Sequence, residues 1–413
     1  MNDHAERPHK RTIRNARDRH IFGPGPKRIL AIDGGGVRGV ISLAFLSKIE
    51  KMLRARFKRD DLLLCDYFDL IGGTSTGAII ATALALGYGV DDLIEVYRTL
   101  SEKGFQKSGI ASMGGILAPK FKQKALTELI AKHMGREPLG SELLRTGLAI
   151  VAKRLDTESV WIFHNNPDGK FYWLEGSKSK HIPNKDMPLV NLIRASTAAP
   201  TFFEPQSIEV ARDADKVLSG MFVDGGVSPH NNPGLLMFML ATISGYEFRW
   251  PTGENELLLV SIGNGAAGSS PTPLEAAQMT AGMLAYKSML SMLRDSSSLH
   301  QALLQWMSRC PTPWPIDSEI GDLSLDQLGA RPLLHYLRYD AILKKEWLKE
   351  QLNLNYQDRA LEGIRRFDRP DLAEEWLKIG RAAANVQVKE THFPSAFDRS
   401  VHLDGSAKAK TKV

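Results

Sequence analysis

Two short apolar segments constrain this chain more than any other feature, because each runs into a glycine-rich turn and then into an apolar, helix-like stretch. The first segment, 28–32, leads into Asp33-Gly34-Gly35-Gly36-Val37-Arg38-Gly39. The second segment, 67–71, leads after one glycine into Gly73-Thr74-Ser75-Thr76-Gly77. A short apolar run bounded by turn residues is typical of a buried strand. Both segments are therefore predicted to be strands that enter helices through sharp turns.

The same alternation continues along the chain. Residues 148–152, 160–163 and 257–262 form further apolar runs that predict strands, whereas 40–53 and 78–86 predict helices. The segment 78–86 is apolar except for Thr82, which is typical of a helix buried on all sides. Strands that alternate with helices predict an α/β fold of three layers, in which a mainly parallel sheet is flanked by helices.

Composition divides the 413 residues into four parts. Residues 1–26 form a basic arm that we expect to be disordered or loosely docked, and 27–265 form the α/β core. Residues 266–390 are predicted to be a helical addition packed on the core, and 391–413 a tail. The addition contains a long helical segment, 274–294, whose methionines are expected to fill core space rather than to bind a cofactor. These methionines are Met279, Met283, Met289 and Met292.

Composition also excludes several classes of protein. The chain has only two cysteines, which rules out a disulfide framework and a zinc ribbon. Its net charge of +6 permits contact with an anionic surface but requires no nucleic-acid partner. No apolar run approaches the roughly 18–20 residues that cross a bilayer, and the N-terminal residues lack the apolar core of a secretory signal. We therefore expect a cytoplasmic protein.

Three turns carry residues suited to chemistry. Ser75 lies in a G-x-S-x-G pattern between a predicted strand and helix, which is the context of a nucleophile elbow, although a Ser/Thr-rich helix cap is the alternative. The glycines of 33–39 offer backbone N–H groups to negative charge. They also match the G-x-G-x-x-G of dinucleotide-binding folds, or a plain tight turn. Asp224 follows an apolar run and precedes two glycines, so it could project into a cleft or form an ordinary turn.

Taken together, the three turns predict acyl chemistry. Ser75 would be the nucleophile, Asp224 its base, and the glycine loop the donor of N–H groups to a tetrahedral oxyanion. The carboxyl group of an aspartate in water has a pKa near about 3.9, so burial would have to raise that pKa for efficient proton transfer. His230 follows Asp224 by six residues, which leaves a Ser–Asp–His arrangement open as an alternative.

The ordered set of motifs resembles that of the patatin-like phospholipases. That family has D-G-G-G-x-R-G, G-x-S-x-G and D-G-[GA], which match 33–39, 73–77 and 224–226 in the same order. A fourth similar segment is 194–203, and a fifth is 261–265, where the family more often has Thr in place of Asn264. The resemblance covers about 27–265.

The resemblance implies a lipid acyl hydrolase with a Ser75–Asp224 dyad and neither cofactor nor metal. Gly34, Gly35 and Gly36 would border the oxyanion hole. Arg38 would stabilise the loop or offer its charge to a phosphate head group. The supporting motif residues are Gly39, Gly73, Gly77, Gly225 and Gly226.

The resemblance further implies a membrane phospholipid or another lipid ester as substrate and no nucleic-acid polymer as partner. We expect peripheral contact with the membrane and control by a small-molecule or protein activator. Residues 105–121, rich in glycine and apolar residues and flanked by lysines, are interpreted as a loop or as a lid that enters lipid. The competing hypotheses are a patatin fold kept for lipid or nucleotide binding with little catalysis, and a dinucleotide-binding oxidoreductase. The second of these leaves the G-x-S-x-G turn unexplained.

Overall fold

In the computed structural model, a sheet of nine strands lies between two layers of helices. The described residues are 13–99, 123–173, 180–213, 216–266, 273–366 and 369–398. The strands are β1 (Lys27–Ile32), β2 (Leu70–Thr74), β3 (Gly147–Arg154), β4 (Ser159–His164), β5 (Gln206–Asp213), β6 (Lys216–Asp224), β7 (Leu257–Ile262), β8 (Ser308–Arg309) and β9 (Leu334–Tyr339). Their order is β5-β6-β3-β2-β1-β7-β9-β8, and β4 also pairs with β3. The pairs from β3 to β8 are parallel, which confirms the predicted, mainly parallel sheet.

Thirteen α-helices accompany the sheet within these described ranges. They are α1 (Ala16–Phe22), α2 (Gly39–Phe57), α3 (Leu64–Tyr67), α4 (Thr76–Ala85), α5 (Val90–Thr99), α6 (Gln123–Met134), α7 (Leu189–Ser196), α8 (Gly234–Thr242), α9 (Pro273–Ala277), α10 (Ala281–Trp306), α11 (Lys345–Leu352), α12 (Asp358–Arg365) and α13 (Ala373–Gln387). None of them is both long and apolar enough to cross a bilayer.

Alternate side chains of β1 show how the two layers form. Leu30 and Ile32 join a cluster with α2, α4, α7 and α13 on one face. Ile29 and Ala31 join a cluster with α1, α8 and the last turns of α10 on the other. Because successive strand residues point to opposite faces, a continuously apolar strand is buried on both sides. The prediction of a three-layer α/β fold is confirmed.

The length of β3 brings two distant parts of the chain together. Residues 147–151 of β3 pair with β2, and 152–154 pair with the end of β6. Since β4 occupies the other edge of β3 over both stretches, β2 and β6 lie on the same edge. β6 runs against β3, so its last residue, Asp224, meets the carboxyl end of β2.

Both predicted terminal segments contain parts that are packed on the core. Residues 16–22 form α1, and His20 Nδ1 lies 2.8 Å from Asp69 Oδ1 in the interior. At the other end, Phe393 and Phe397 are buried, and Arg28 donates to the Phe397 carbonyl oxygen. The expectation of a disordered or loosely docked arm is therefore wrong for 13–26, because a buried ion pair attaches it. Residues 391–398 of the predicted tail are likewise attached, by buried aromatic side chains. Residues 1–12 and 399–413 lie outside the described residues.

The region after 266 differs from the predicted helical addition. It contributes β8 and β9 to the same sheet, with β9 paired along β7. The second predicted strand also shifts, since α3 takes Leu64–Tyr67 and β2 begins at Leu70. The methionine prediction is wrong for Met283 and Met292, which are 55% and 68% exposed. Among the described side chains of α10, those that join the core lie in its last turns. The predicted lid, 105–121, lies outside the described residues.

Candidate active site

The turn between β2 and α4 holds Ser75 in an unusual backbone conformation. Its φ of 55° and ψ of −127° are costly for a residue with a side chain, by about 1–3 kcal/mol. Close packing requires the glycines on either side, because a Cβ on Gly73 would strike the backbone of Gly77, and one on Gly77 would strike the carbonyl of Ile32. The turn therefore has the strand–turn–helix geometry of a nucleophile elbow, as the sequence predicts.

A hydrogen bond to Ser196 holds this turn. The Ser75 N–H donates to Ser196 Oγ over 2.8 Å, and Ser196 Oγ donates to the Val151 carbonyl oxygen over 2.6 Å. Ser196 ends α7 and belongs to the motif segment 194–203, for which the sequence alone indicated no individual role. The structure thus links the elbow to the neighbouring strand β3.

Ser75 and Asp224 are in direct contact. Ser75 Oγ donates to Asp224 Oδ2 over 2.5 Å, and Asp224 Oδ1 accepts from the Gly226 N–H over 2.7 Å. The second motif glycine, Gly225, lies so close to the Val151 carbonyl that no Cβ would fit. Both carboxylate oxygens are therefore held, and one of them faces the serine hydroxyl.

Burial changes the acidity of this carboxyl group. Asp224 is 5% exposed, and its removal from water raises its pKa to about 6. The hydrogen bonds from Ser75 and Gly226 and the nearby charge of Arg194 act in the opposite direction. Arg194 is itself buried and donates to Thr197 Oγ1. The carboxyl group is ionised at neutral pH but is a stronger base than an aspartate in water, which meets the requirement stated for an aspartate base.

The glycine loop lies beside the serine. A Cβ built on Gly34 would lie 3.1 Å from the Cβ of Ser75. The Gly34 N–H already donates to the Asn231 carbonyl oxygen, and the Gly35 N–H makes a long bond of 3.3 Å to Thr76 Oγ1. The Gly36 N–H meets no acceptor among the described residues. The loop therefore borders the hydroxyl, with its three N–H groups engaged to different degrees.

The family of this chain follows from a comparison with known proteins. The model of the patatin-like phospholipase family matches residues 30–237, which is half of the chain. The chain belongs to the patatin-like phospholipase family.

Several curated relatives resemble this patatin-like chain. A cUMP-AMP-activated phospholipase of Escherichia coli is 34% identical over 218 residues, which cover 52% of this chain and 59% of the relative. A cGAMP-activated phospholipase of Escherichia coli strain TW11681 is 30% identical over 211 residues, covering 51% and 54%. Patatin-T5 of Solanum tuberosum is 27% identical over 249 residues, covering 57% and 60%. The chain thus spans a little over half the length of these relatives.

Among solved structures, the human GIVD cytosolic phospholipase A2 is similar with a TM-score of 0.44 and 12% identity. The similarity covers 93% of this chain and 61% of that chain.

The remaining motif residues of the patatin-like loop have structural contacts. Arg38 is half-buried, and its Nη1 lies 3.4 Å from the Arg365 carbonyl oxygen. Burial lowers the pKa of Arg38 to about 10. Gly39 starts α2 against Tyr97, whose hydroxyl donates to the Gly36 carbonyl oxygen over 2.5 Å.

The structure does not bring the His230 ring to the serine. That ring stacks on His300 of α10, with centroids 5.0 Å apart, while the His230 carbonyl oxygen accepts from Thr74 Oγ1. Burial lowers the pKa of His230 to about 4. Since Asp224 is committed to Ser75 and Gly226, the geometry favours the two-residue arrangement over one that includes His230.

Four residues that hold the patatin-like glycine loop were missed by sequence reasoning. Asn231 Nδ2 donates to the Gly34 carbonyl oxygen, and Asn264 Nδ2 donates to that of Asp33. Tyr97 holds Gly36, as described above, and Arg338 pairs with the Asp33 carboxylate. Only Asn264 had a signal in the sequence, through its place in the segment 261–265. Over the described ranges, no cluster of three or more His, Cys, Asp or Glu side chains is arranged to hold a metal ion.

Proposed function

We propose that the protein is a serine-dependent lipid acyl hydrolase that cleaves carboxylic ester bonds through Ser75 and Asp224. The observation that carries this proposal is the 2.5 Å contact between Ser75 Oγ and the Asp224 carboxylate, at a nucleophile elbow beside a glycine loop. Membership in the patatin-like phospholipase family supports it. The substrate class is the membrane phospholipids or related lipid esters.

The reaction requires one proton carrier. As Ser75 Oγ attacks the ester carbonyl carbon, its proton passes to Asp224 Oδ2 and the carbonyl oxygen becomes an oxyanion. Collapse of this intermediate breaks the ester bond, and the leaving alcohol takes the proton from Asp224. Water then attacks the acyl-Ser75 carbonyl, gives its proton to Asp224, and the fatty acid leaves as Ser75 recovers its proton.

The oxyanion would be held by the N–H groups of Gly35 and Gly36. The Gly36 N–H meets no acceptor in the described part of the chain, and the bond from Gly35 is long enough to be exchanged for a stronger one. Gly34, by contrast, is committed to Asn231 and acts as the link to Ser75. One donor of this kind typically contributes about 2.7–4 kcal/mol to transition-state stability.

Lipid analysis of vesicles tests this function. Wild-type protein should convert phospholipid into lysophospholipid and free fatty acid, whereas Ser75→Ala should not. Ser207→Ala, which changes an exposed serine on β5, is the matched control and should retain the wild-type rate. Equal product from wild type and Ser75→Ala would contradict the proposal, and lipid binding without product would favour a binding module instead.

We also propose that α10 contacts the lipid surface. Three apolar side chains of α10 are each more than half exposed, namely Met283, Leu284 and Met292. Lys287 and Arg294 lie on the same helix face as Met283. Exposed apolar side chains beside cationic ones suit an anionic bilayer. The same helix continues to His300, which stacks on His230 next to the catalytic segment.

A vesicle-binding assay tests whether these exposed residues of α10 contact lipid. Replacing Met283, Leu284 and Met292 together by Ser should weaken binding to anionic vesicles at least tenfold and leave hydrolysis of a soluble ester within about twofold. The control replaces three other exposed residues by Ser, namely Ile320, Leu325 and Leu328. Equal loss of binding in both triple variants, or no loss in the first, would refute this role for α10.

A small-molecule activator is proposed from the relatives. Two of them carry names that state activation by cGAMP and by cUMP-AMP. We expect one of these cyclic dinucleotides to raise the rate of vesicle hydrolysis by wild-type protein at micromolar concentration. Unchanged rates with both compounds, in a preparation that hydrolyses lipid, would rule them out as activators.

A further inference from the structure

A buried cluster of charges lies behind the glycine loop. Arg338 of β9 donates from Nη1 to Asp33 Oδ1 over 3.0 Å and from Nη2 to Asp33 Oδ2 over 2.7 Å. The same Nη2 donates to Asp340 Oδ2 over 2.8 Å. All three side chains are less than a tenth exposed. A two-bond fork between a guanidinium and a carboxylate fixes orientation as well as distance.

Sheet order shows that this contact spans two strands. β9 is separated from β1 by β7, and Asp33 directly follows the last residue of β1. Ser261 of β7 lies between them, and its Oγ accepts from Arg338 Nη1 over 2.8 Å. The guanidinium thus reaches from the C-terminal part of the chain across β7 to the residue that precedes Gly34.

Asp33 is held at both its side chain and its main chain. Arg338 fixes the carboxylate, while Asn264 Nδ2 donates to the carbonyl oxygen over 3.2 Å. Asp340, which also touches Arg338, is anchored by N–H groups of Gly265 and Ala341. The peptide that begins the glycine loop is therefore fixed relative to a rigid sheet. Without the guanidinium, two buried carboxylates would share the space with no charge between them.

We propose that Arg338 is a positioning residue that aims the N–H groups of the glycine loop at the reacting carbonyl of the substrate. This role rests on the proposed hydrolase function. It also assigns a part in catalysis to a residue outside 30–237, the range that the family model matches. Because the contact acts on the transition state through the loop, its loss lowers kcat and leaves KM nearly unchanged.

The chain offers a matched control in a second buried fork. Arg28, at the start of β1, donates to Asp69 through Nε over 2.9 Å and through Nη2 over 3.0 Å. This pair is buried like that of Arg338, but it lies at the opposite end of the strand from the glycine loop. Arg28→Gln therefore removes an equivalent interaction without touching the loop.

The experiment measures kcat and KM for a soluble ester, the rate of Ser75 labelling by a fluorophosphonate, and the melting temperature. Arg338→Gln should lower kcat and the labelling rate about 100-fold, with KM within about twofold. Arg338→Lys keeps the charge but not the fork and should recover part of the loss. Asp33→Asn/Arg338→Gln returns the cluster to its wild-type net charge, and Asp340 keeps its two N–H donors. The double variant should therefore melt closer to the wild-type temperature than Arg338→Gln does, while kcat stays low. Arg28→Gln should melt at a lower temperature with nearly wild-type kcat.

The outcomes separate this role from the function on which it rests. Wild-type protein that neither hydrolyses the ester nor reacts with the fluorophosphonate refutes the hydrolase and the role of Arg338 together. With an active wild type, two results overturn the role of Arg338 alone: unchanged kcat in both the Arg338→Gln and double variants, or an equal loss of kcat in Arg28→Gln.

Discussion

In the proposed mechanism, the acid limb of the pH profile depends on a single buried carboxyl group. Asp224 must be ionised to accept the proton of Ser75, and burial raises its pKa to about 6. Because the ionised form is the base, kcat should rise with pH through that value. Simple titration gives a kcat of about one half of the plateau at pH 6 and about one tenth at pH 5.

A histidine base would produce a different curve. Burial lowers the pKa of His230 to about 4, so a reaction that used its neutral imidazole would remain near its plateau at pH 5. The midpoint of the profile therefore distinguishes the two candidates by about two pH units. His230→Gln should leave the midpoint near 6.

The charge of Arg194 provides a second test of this prediction. Its guanidinium favours the ionised form of Asp224, so Arg194→Met should shift the midpoint to higher pH. The assay is initial-rate hydrolysis of a soluble, uncharged ester between pH 4 and 9, with tryptophan fluorescence as the control for folding. A limb near pH 4 in the wild type, or one that His230→Gln abolishes, would refute the assignment of Asp224 as base.

Two further substitutions test the supports of the fold and the site. Ser196→Ala leaves the buried Ser75 N–H without its acceptor, so it should lower kcat and also lower the free energy of unfolding by about 1–3 kcal/mol. The control Ser207→Ala should change neither quantity. Thermal melting and ester hydrolysis measure the two effects. Asp69→Asn breaks the buried pair with Arg28 and should cost about 3–5 kcal/mol of unfolding free energy in urea titrations. Burial alone would raise the pKa of Asp69, but Arg28 and His20 hold it far below its usual value. The ionised Asp69 therefore stabilises the fold fully above about pH 4, and this stabilisation is lost on further acidification. A wild-type protein whose free energy of unfolding stays constant below about pH 4 would contradict this.

The sequence was sufficient for the parts of the fold that depend on local apolar pattern and turn chemistry. β1, α2, α4, β3 and β7 are apolar enough to be recognised from their own residues. The glycine turns after β1 and β2 likewise carry their geometry in their own composition, because only small residues allow such close packing.

Other elements depend on contacts that no local pattern reveals. Strand β8 has two residues, and β9 contains the polar residues His335 and Arg338, which point to opposite faces although the strand is buried on both. The basic residues before β1 predict a solvated arm, but His20 pairs with a buried Asp69. In both β9 and α1, a buried polar side chain pairs with a partner distant in sequence, so the local pattern alone does not indicate that the segment is buried.

The site shows the same division. Ser75, Asp224 and the glycines are identifiable because each lies in a short motif with its own turn geometry. Arg338 lies 305 residues from Asp33 and has no motif around it, so only the sheet order brings the two together. The side chains that we propose to act directly could thus be identified from the sequence, whereas those that hold the glycine loop in place required the structure.

Covalent labelling of Ser75 tests the central claim most directly. Wild-type protein treated with a fluorophosphonate, with each cyclic dinucleotide and without, should gain one adduct, and peptide mass spectrometry should locate it on Ser75. Ser75→Ala should gain none, and Asp224→Asn should react at least about 100-fold more slowly because the base is lost. An unlabelled wild-type Ser75 under every condition, or equal labelling rates in wild type and Asp224→Asn, would contradict the Ser75–Asp224 mechanism.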